Sequence, residues 1–387
     1  MASFWNIFSS APKSRVSIAL DVGTSSVRSL LIEKNADGIF GLKKQIHLIP
    51  KTAGDEKFIR MVGENLREII YRYIKGLGRV PEKVILGLGS RLAETTLVAI
   101  PKERAEKKKP VSADELAEMI NTYTSRLQEK IIDSHTFLLT HAEPLRIRVD
   151  GYDFDIRGER SMAGKNVELW ATLTFVRKDF ADELKDLRRA WGGLRIDMRS
   201  TQVIAATRVA ESYTGHDFLL VKIGGKSTEL TVVKDGLIQL VESLPVGGDG
   251  ATVELAAALK TTLGHAEDIK RQFGKLNLPE DISEAAEGVL KAHAKALVDK
   301  IRELLARKEV LLPPTVLIYG GGARAPFIES VMRDKRNFSD FIFVDEVSAK
   351  ILQAEEMTKD NFKNQTLRGP EDIDLAALAL TLITHNG

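Results

Sequence analysis

Two short segments rich in glycine, serine and threonine share one pattern at distant places in the chain. The first spans residues 21–28 and the second spans residues 222–229; each follows an apolar strand and precedes a second strand that ends in an Asp-Gly turn. Backbone N–H groups in tight turns bind anions, and glycine lets the backbone approach a ligand closely. Two such turns that face each other could hold a polyphosphate from opposite sides, although either turn alone also fits an ordinary β-hairpin.

The candidate phosphate-binding residues are those of the two turns. They are Asp21, Gly23, Thr24, Ser25 and Ser26 in the first turn, and Lys222, Gly224, Gly225, Lys226, Ser227 and Thr228 in the second. Because internal repeats often determine a fold, this pair of segments predicts two similar lobes with the ligand between them.

A third glycine-rich turn lies nearer the C-terminus. An apolar stretch, residues 316–319, runs into Gly320, Gly321 and Gly322, and Arg324 follows. Three consecutive residues without side chains suit a flat ring such as adenine lying against the backbone. This signal is weak by itself, because a strand, a glycine turn and a helix follow one another in most α/β folds. The three turns together favour a nucleotide site.

The composition restricts the class of protein. The 387 residues suffice for roughly two to three domains, and 56 basic against 54 acidic residues give no electrostatic reason for nucleic-acid binding. The chain has no cysteine, and its seven histidines have no metal-ligand spacing. We find no apolar stretch long enough for a membrane span and no signal peptide, so we expect a cytoplasmic protein. The basic run at residues 107–109 is expected to be a solvated loop.

The N-terminus differs from the rest of the chain. Phe4, Trp5 and Phe8 fall at helical spacing with Ile7 beside them, and Pro12 ends any helix before two basic residues. This pattern predicts an amphipathic segment that binds a membrane surface, weakly as one copy and strongly when many copies are arrayed. The alternative is a tail that packs back onto its own domain.

Periodicity places helices and strands around these segments. An apolar face formed by Ile59, Val62, Leu66, Ile69, Ile70 and Tyr73 predicts a helix over residues 56–75. Further helices are predicted over residues 113–131, with Ser112 as the cap, and over residues 180–191, 203–213, 252–263 and 327–332. Strands are predicted over residues 16–21, 27–33 and 84–88, with several short ones between there and residue 176. The fold class is α/β.

The three turns resemble the first phosphate, second phosphate and adenosine motifs of the actin-like ATPases. Residues 243–270 are similar to the corresponding stretch of two members, FtsA and PilM. The resemblance implies that Glu267 and Lys270 reach the ribose and base of ATP. The alternative is that these two residues form an exposed i,i+3 ion pair.

An inserted segment favours FtsA among the relatives. Residues 141–144, 149–151, 162–164 and 167–169 resemble the subdomain called 1C, which FtsA carries in place of subdomain 1B of actin. PilM has a related insert, but its Pro-Phe-Pro signature is absent here. The resemblance implies two lobes built from duplicated ribonuclease-H-like subdomains, with 1C inserted in the first. The N-terminal segment is expected to span residues 1–13. In the first lobe, subdomain 1A is expected to span 14–82 and 176–213, with 1C at 83–175 between its two parts. In the second lobe, 2A is expected to span 214–260 and 311–387, with 2B at 261–310 between its two parts.

The second phosphate motif departs from the family pattern. Lys222 replaces an aspartate, and Lys226 replaces the third glycine. In the family that aspartate lies near Mg²⁺, and an ammonium ~5 Å from Mg²⁺ is repelled by roughly 6 kcal/mol at an effective dielectric of ~20. Either Lys222 turns onto the phosphates, or the metal is held elsewhere or lost; Asp21 stays available for metal-bound water. We expect ATP binding with slow or absent hydrolysis and assign no catalytic residue.

The resemblance also implies partners. FtsA forms filaments under the membrane and tethers FtsZ, so self-association, FtsZ and the lipid surface are expected. Its usual C-terminal membrane helix is missing here, trimmed, or replaced by the N-terminal segment. A second hypothesis is a PilM-like adaptor of a pilus or secretion machine. A sugar kinase is disfavoured, because Lys222 stands where such enzymes generally keep an aspartate.

Overall fold

The computed structural model describes residues 15–50, 54–130, 136–155, 162–191, 194–213, 217–274, 278–308, 311–338 and 347–384. The strands are β1 (Arg15–Val22), β2 (Ser26–Asn35), β3 (Gly38–Leu48), β4 (Lys83–Leu88), β5 (Ala93–Glu103), β6 (Phe137–Val149), β7 (Tyr152–Asp155), β8 (Asn166–Arg177), β9 (Ile196–Ser200), β10 (Phe218–Ile223), β11 (Thr228–Lys234), β12 (Leu237–Leu244), β13 (Thr315–Tyr319) and β14 (Ser348–Ile351). The helices are α1 (Asp55–Leu77), α2 (Ala113–Lys130), α3 (Lys178–Ala190), α4 (Thr201–Ser212), α5 (Gly248–Ala258), α6 (Leu263–Gln272), α7 (Glu280–Ala306), α8 (Ile328–Arg333), α9 (Ala354–Thr358) and α10 (Ile373–Thr384).

Two five-stranded sheets have the same topology. The first runs β3-β2-β1-β4-β9 and the second runs β12-β11-β10-β13-β14. In each sheet the first two strands along the chain form an antiparallel hairpin, and the first strand also pairs in parallel with the fourth. The equivalence confirms the two-lobed duplication that the repeated turns predict.

Alternation along β1 explains how the first sheet is packed on both faces. Ile18 and Leu20 pack with α1 and α3 in one core, whereas Ala19 belongs to a second core on the opposite face. Successive side chains of a strand point to opposite faces, so a central strand covered on both sides reads as a continuous apolar run. The predicted apolar face of α1 is buried throughout, and Gly78 ends the helix in the left-handed conformation (φ 64°).

Two helices lie between the lobes and connect them. Helix α4 follows the first sheet in the chain but packs on β11 and β12, and α10 follows the second sheet but packs on β1 and β4. Their side chains form one core with residues of both sheets. Because each helix rests on the lobe that it does not follow in sequence, the two lobes share this core.

The insert in the first lobe is a four-stranded sheet, β5-β8-β6-β7, covered by α2. The hydroxyl of Ser112 accepts a hydrogen bond from the N–H of Glu115 (3.1 Å), which confirms the predicted cap of α2. The insert was expected to begin at residue 83, but β4 (Lys83–Leu88) pairs with β1 and β9 inside the first sheet. The inserted sheet begins with β5, at Ala93.

Helices α5, α6 and α7 form a small subdomain on the second lobe with a core of its own. The predicted helix over residues 252–263 is wrong at both ends. Helix α5 begins at Gly248 and ends at Ala258, and Lys260 is left-handed (φ 48°). Thr262 then caps α6 by accepting a hydrogen bond from the N–H of His265 (3.2 Å).

The basic run that was expected to be a solvated loop lies at the surface of the protein. Lys107, Lys108 and Lys109 are exposed, as expected for a solvated loop. Within the described ranges, none of the helices has the length and apolarity needed to cross a bilayer. The proposed membrane-binding residues Phe4, Trp5, Ile7 and Phe8 lie outside the described residues.

Candidate functional site

A cavity of about 430 Å³ lies between the two lobes. It is lined by the hairpin turns β1–β2 and β10–β11, by the triple-glycine turn after β13, and by α6. All the predicted ATP-binding residues line it except Lys226 and Thr228. The volume is in the range of small-molecule sites, which is roughly 300–1,000 Å³. Four segments far apart in sequence are thus brought to one cavity.

The two hairpins close with the same hydrogen bond. The N–H of Gly23 donates to the carbonyl of Ser26 (3.0 Å), and the N–H of Gly224 donates to the carbonyl of Ser227 (2.8 Å). Thr228 is fully buried, and its hydroxyl donates to the carbonyl of Val246 (2.7 Å), so it anchors the second hairpin and does not face the cavity.

The tips of the hairpins touch across the cleft. The N–H of Lys226 donates to Oγ1 of Thr24 at 3.3 Å. A Cβ on Gly225 would lie 2.4 Å from Oγ of Ser25 and 2.9 Å from Oγ1 of Thr24, so a side chain there would require these hydroxyls to move. Ser90, in the loop after β4, donates from its N–H to Glu229 Oε1 of the other lobe (2.9 Å). These contacts join the two lobes directly beside the cavity, which Thr24 and Ser90 line.

Lys222 is bound into a buried cluster of acceptors. Its Nζ lies 2.9 Å from Oγ1 of Thr201, 3.1 Å from Oε2 of Glu229 and 3.0 Å from Oδ2 of Asp374. Burial would lower the pKa of Lys222, but Asp374, Glu229 and Asp21 outweigh it and raise the pKa above its usual value. Lys222 is therefore a charged ammonium held by carboxylates.

Asp21 occupies the equivalent position in the first hairpin. It is buried, and burial together with the charge of Asp374 raises its pKa from 3.8 to about 7, while Lys222 and Arg28 oppose that shift. Its Oδ1 makes no hydrogen bond within the described residues. Asp21 is thus partly neutral at physiological pH and has one oxygen available to a ligand.

The triple-glycine turn packs tightly on the second hairpin. Gly320 has φ 94°, and a Cβ on it would lie 2.5 Å from the carbonyl oxygen of Ile223. A Cβ on Gly322 would lie 2.4 Å from Cγ2 of the same residue. Arg324, at the end of the turn, forms a bidentate ion pair with Glu371 (2.7 and 3.1 Å) beside the cavity. Only glycine fits this close approach at Gly320 and Gly322.

Glu267 and Lys270 form an ion pair at the cavity wall. Lys270 Nζ lies 2.8 Å from Glu267 Oε2 and also donates to the carbonyl of Gly248 (2.8 Å) and to Oγ1 of Thr252 (2.8 Å). Lys270 is only 7% exposed. The i,i+3 pair therefore exists, but Lys270 is buried and Glu267 is only partly exposed, in contrast to the exposed alternative. Its place at the cavity is compatible with a binding role, which stays a prediction.

Sequence reasoning missed several polar residues of the cavity. Arg28 and Glu229 lie opposite Asp21 and Lys222 in the two hairpins, so each hairpin carries an oppositely charged cross-strand pair with the signs exchanged. These charged residues, with their signs exchanged, are already visible in the two repeated segments of the sequence. Nothing in the sequence around Asp374 indicates that it belongs to this site, because Asp374 lies on α10, far from both hairpins along the chain. In the described ranges, no group of three or more His, Cys, Asp or Glu side chains is arranged to hold a metal ion.

The duplicated sheets with a cavity between their hairpins define the actin-like ATPase fold. A solved structure with this arrangement is the PilM–PilN type IV pilus biogenesis complex, which is 18% identical, with a TM-score of 0.65 over 94% of this chain and 98% of that chain.

Sequence comparison then points to one family of this fold. Residues 219–369 match the family model for cell division protein FtsA. Cell division protein FtsA of Bacillus subtilis is 24% identical over 362 residues, covering 82% of this chain and 76% of that protein. FtsA of Streptococcus pneumoniae serotype 2 is 23% identical over 336 residues, covering 79% and 70%. The chain is thus similar to cell division protein FtsA over most of its length and has the actin-like ATPase fold, which confirms the predicted resemblance.

Proposed function

We propose that this protein binds ATP between its two lobes and forms filaments that tether FtsZ to the inner face of the cytoplasmic membrane. The observation that carries the proposal is the pair of equivalent hairpins, one from each lobe, that meet at one cavity. Similarity to proteins named cell division protein FtsA supports the cellular role.

The proposed ligand contacts follow from the chemistry of each wall. The hairpin turns supply backbone N–H groups and the hydroxyls of Thr24 and Ser25 to the phosphates. The triple-glycine turn gives a flat surface for adenine. Glu267 and Lys270 lie at the wall where the ribose and base are proposed to bind, and Arg324 lies beside them.

ATP is proposed to favour the closed arrangement of the lobes. A ligand shifts an equilibrium toward the state in which it makes more contacts. The hairpins approach each other through the Lys226–Thr24 hydrogen bond, so a polyphosphate between them contacts both lobes only when they are close. The closed state is the one proposed to polymerise.

Hydrolysis is proposed to be weak or absent. The carboxylate expected in the second phosphate motif is replaced by Lys222, whose ammonium is already bound to Glu229 and Asp374. A steady rate on the order of 1–100 s⁻¹, typical of kinases, would contradict this proposal.

Membrane attachment is proposed to use the N-terminal segment. Phe4, Trp5, Ile7 and Phe8 supply an apolar face followed by basic residues, which suits the interface of an anionic bilayer. Deleting residues 2–12 should abolish co-sedimentation with anionic liposomes. Unchanged co-sedimentation would exclude the segment as an anchor.

Two measurements test the main proposal. Calorimetry with ATP and ADP should show binding of either nucleotide, and failure to bind in every condition would refute the nucleotide role. Sedimentation with ATP, with ADP and without nucleotide, each with and without FtsZ and lipid, should give ATP-dependent pelleting and FtsZ recruitment. Pelleting that ignores nucleotide and FtsZ would refute the assembly role.

A second candidate is a PilM-like adaptor of a type IV pilus or secretion machine. The similarity to the PilM–PilN complex across nearly the whole of both chains favours it. In that case the inserted sheet would hold a peptide from the partner and FtsZ would not be recruited. The FtsZ arm of the sedimentation experiment separates the two candidates.

A further inference from the structure

The inner wall of the cavity holds an ammonium where the actin-like fold implies a metal ion. Lys222 Nζ lies within 3.1 Å of oxygens of both Glu229 and Asp374, and its charge also acts on Asp21. The three carboxylates come from β1, β11 and α10, so both lobes and a connecting helix contribute. A single positive side chain thus sits at the junction of these elements.

The carboxylate oxygens around Lys222 already have partners. Glu229 accepts from Ser90 on Oε1 (2.9 Å) and from Lys222 on Oε2. Asp374 accepts from Tyr319 on Oδ1 (3.1 Å) and from Lys222 on Oδ2. Magnesium demands near-octahedral oxygen ligands at about 2.0–2.1 Å. Glu229 and Asp374 do not fit Mg²⁺, because each of their carboxylate oxygens already accepts a hydrogen bond and the position between them is taken by an ammonium.

Electrostatics add to this conflict. A divalent cation about 5 Å from a fixed ammonium is repelled by several kcal/mol even at an effective dielectric of ~20. The ammonium and the guanidinium of Arg28 instead place positive charge at the cavity wall beside the two hairpins. Because the three N–H groups of the ammonium already have acceptors, it acts on bound phosphate oxygens through its charge and not through a direct hydrogen bond.

We propose that Lys222 is the resident cation of this site and that the nucleotide binds with its phosphates free of metal. The inference rests on the proposed nucleotide function and states the form in which the ligand is bound. Lys222 holds Glu229 and Asp374 in place and offsets their charge, the task that a divalent ion would otherwise perform.

The first test is calorimetry of ATP binding to the full chain, once in excess MgCl₂ and once in excess EDTA. We expect affinities that differ by less than about threefold, under 1 kcal/mol. Binding more than about tenfold tighter with Mg²⁺ overturns the inference and leaves the proposed function intact. Absence of binding in both solutions refutes the proposed function and the inference with it.

A second test changes the side chain and uses a readout that needs no nucleotide. In Lys222→Asp the cluster gains a carboxylate and loses its cation, so MgCl₂ should raise the melting temperature of this variant but not that of the unmodified protein. Lys226→Asp is the matched control, since Lys226 belongs to the same turn but does not line the cavity.

A more conservative variant tests the inference if Lys222→Asp does not fold. Lys222→Gln keeps a hydrogen-bond donor and removes the charge. Its affinity for ATP in EDTA should be lower than that of the unmodified protein, and MgCl₂ should raise that affinity about tenfold. If MgCl₂ affects the unmodified protein, Lys222→Gln and Lys226→Asp to the same extent, Lys222 is not the resident cation.

Discussion

Removing the charge of Lys222 should destabilise the fold strongly. Lys222→Met keeps much of the side-chain volume but leaves the carboxylates of Glu229 and Asp374 without their shared cation. Breaking a buried ion pair by deleting one partner costs about 3–5 kcal/mol. Glu229 still accepts from Ser90, and Asp374 still accepts from Tyr319, so each keeps one hydrogen bond. We therefore expect the lower part of that range, about 3–4 kcal/mol.

The assay is urea unfolding of the full chain followed by far-ultraviolet circular dichroism. Lys226→Met serves as the control, because its side chain lies outside the cavity, and its effect should stay within about 0.5 kcal/mol. Adding Glu229→Gln to Lys222→Met should recover about 1–2 kcal/mol, since one uncompensated charge is then removed.

A clear result would refute this reasoning. If Lys222→Met lowers the free energy of unfolding by less than about 1 kcal/mol, the ammonium does not neutralise the cluster. The same conclusion follows if Glu229→Gln is as costly in the Lys222→Met background as in the unmodified protein, because the two residues are then not coupled.

The remaining predictions concern pH, the cleft and a helix cap. The folded state raises the pKa of Asp21 from 3.8 to about 7. Protonation of Asp21 therefore stabilises the folded state fully below pH 3.8, and this contribution is lost as the pH rises through 7. The free energy of unfolding relative to Asp21→Asn should fall across that interval, and a constant difference would contradict the shift. Gly225→Ala, whose Cβ would lie 2.4 Å from Ser25 Oγ, should weaken ATP binding about tenfold by calorimetry, whereas Gly288→Ala, in open space on α7, should not. Equal affinities for the two variants would show that the hairpins need not touch. Thr262→Ala should cost about 1 kcal/mol in urea unfolding through loss of the α6 cap, and no change would mean the cap is unimportant.

Much of the fold was predictable because its signals are local. The hairpin turns are recognisable from glycine and serine between apolar strands, and their duplication implied two sheets of equal topology. The buried face of α1 follows from 3.6-residue spacing, and the cap of α2 follows from Ser112 before an acidic first turn.

The start of α5 was predicted wrongly, at the place where this helix approaches the second hairpin. The sequence favours a later helix start, since Gly247 and Gly248 are poor helix formers. The fold begins α5 at Gly248 because the N–H groups of Gly248 and Asp249 donate to the carbonyls of Gly224 (2.9 Å) and Gly225 (2.8 Å) in the second hairpin. Tertiary contact therefore outweighs helix propensity at this position.

The sequence by itself determined the repeated turns, the glycine positions and the place of Lys222 at the start of the second turn. Only the tertiary structure decided what that lysine does. Asp374 reaches Lys222 from the last helix, and Thr201 reaches it from the helix that connects the lobes. The charge state and partners of a buried group depend on every element packed around it, and in this protein those elements are far apart in the sequence.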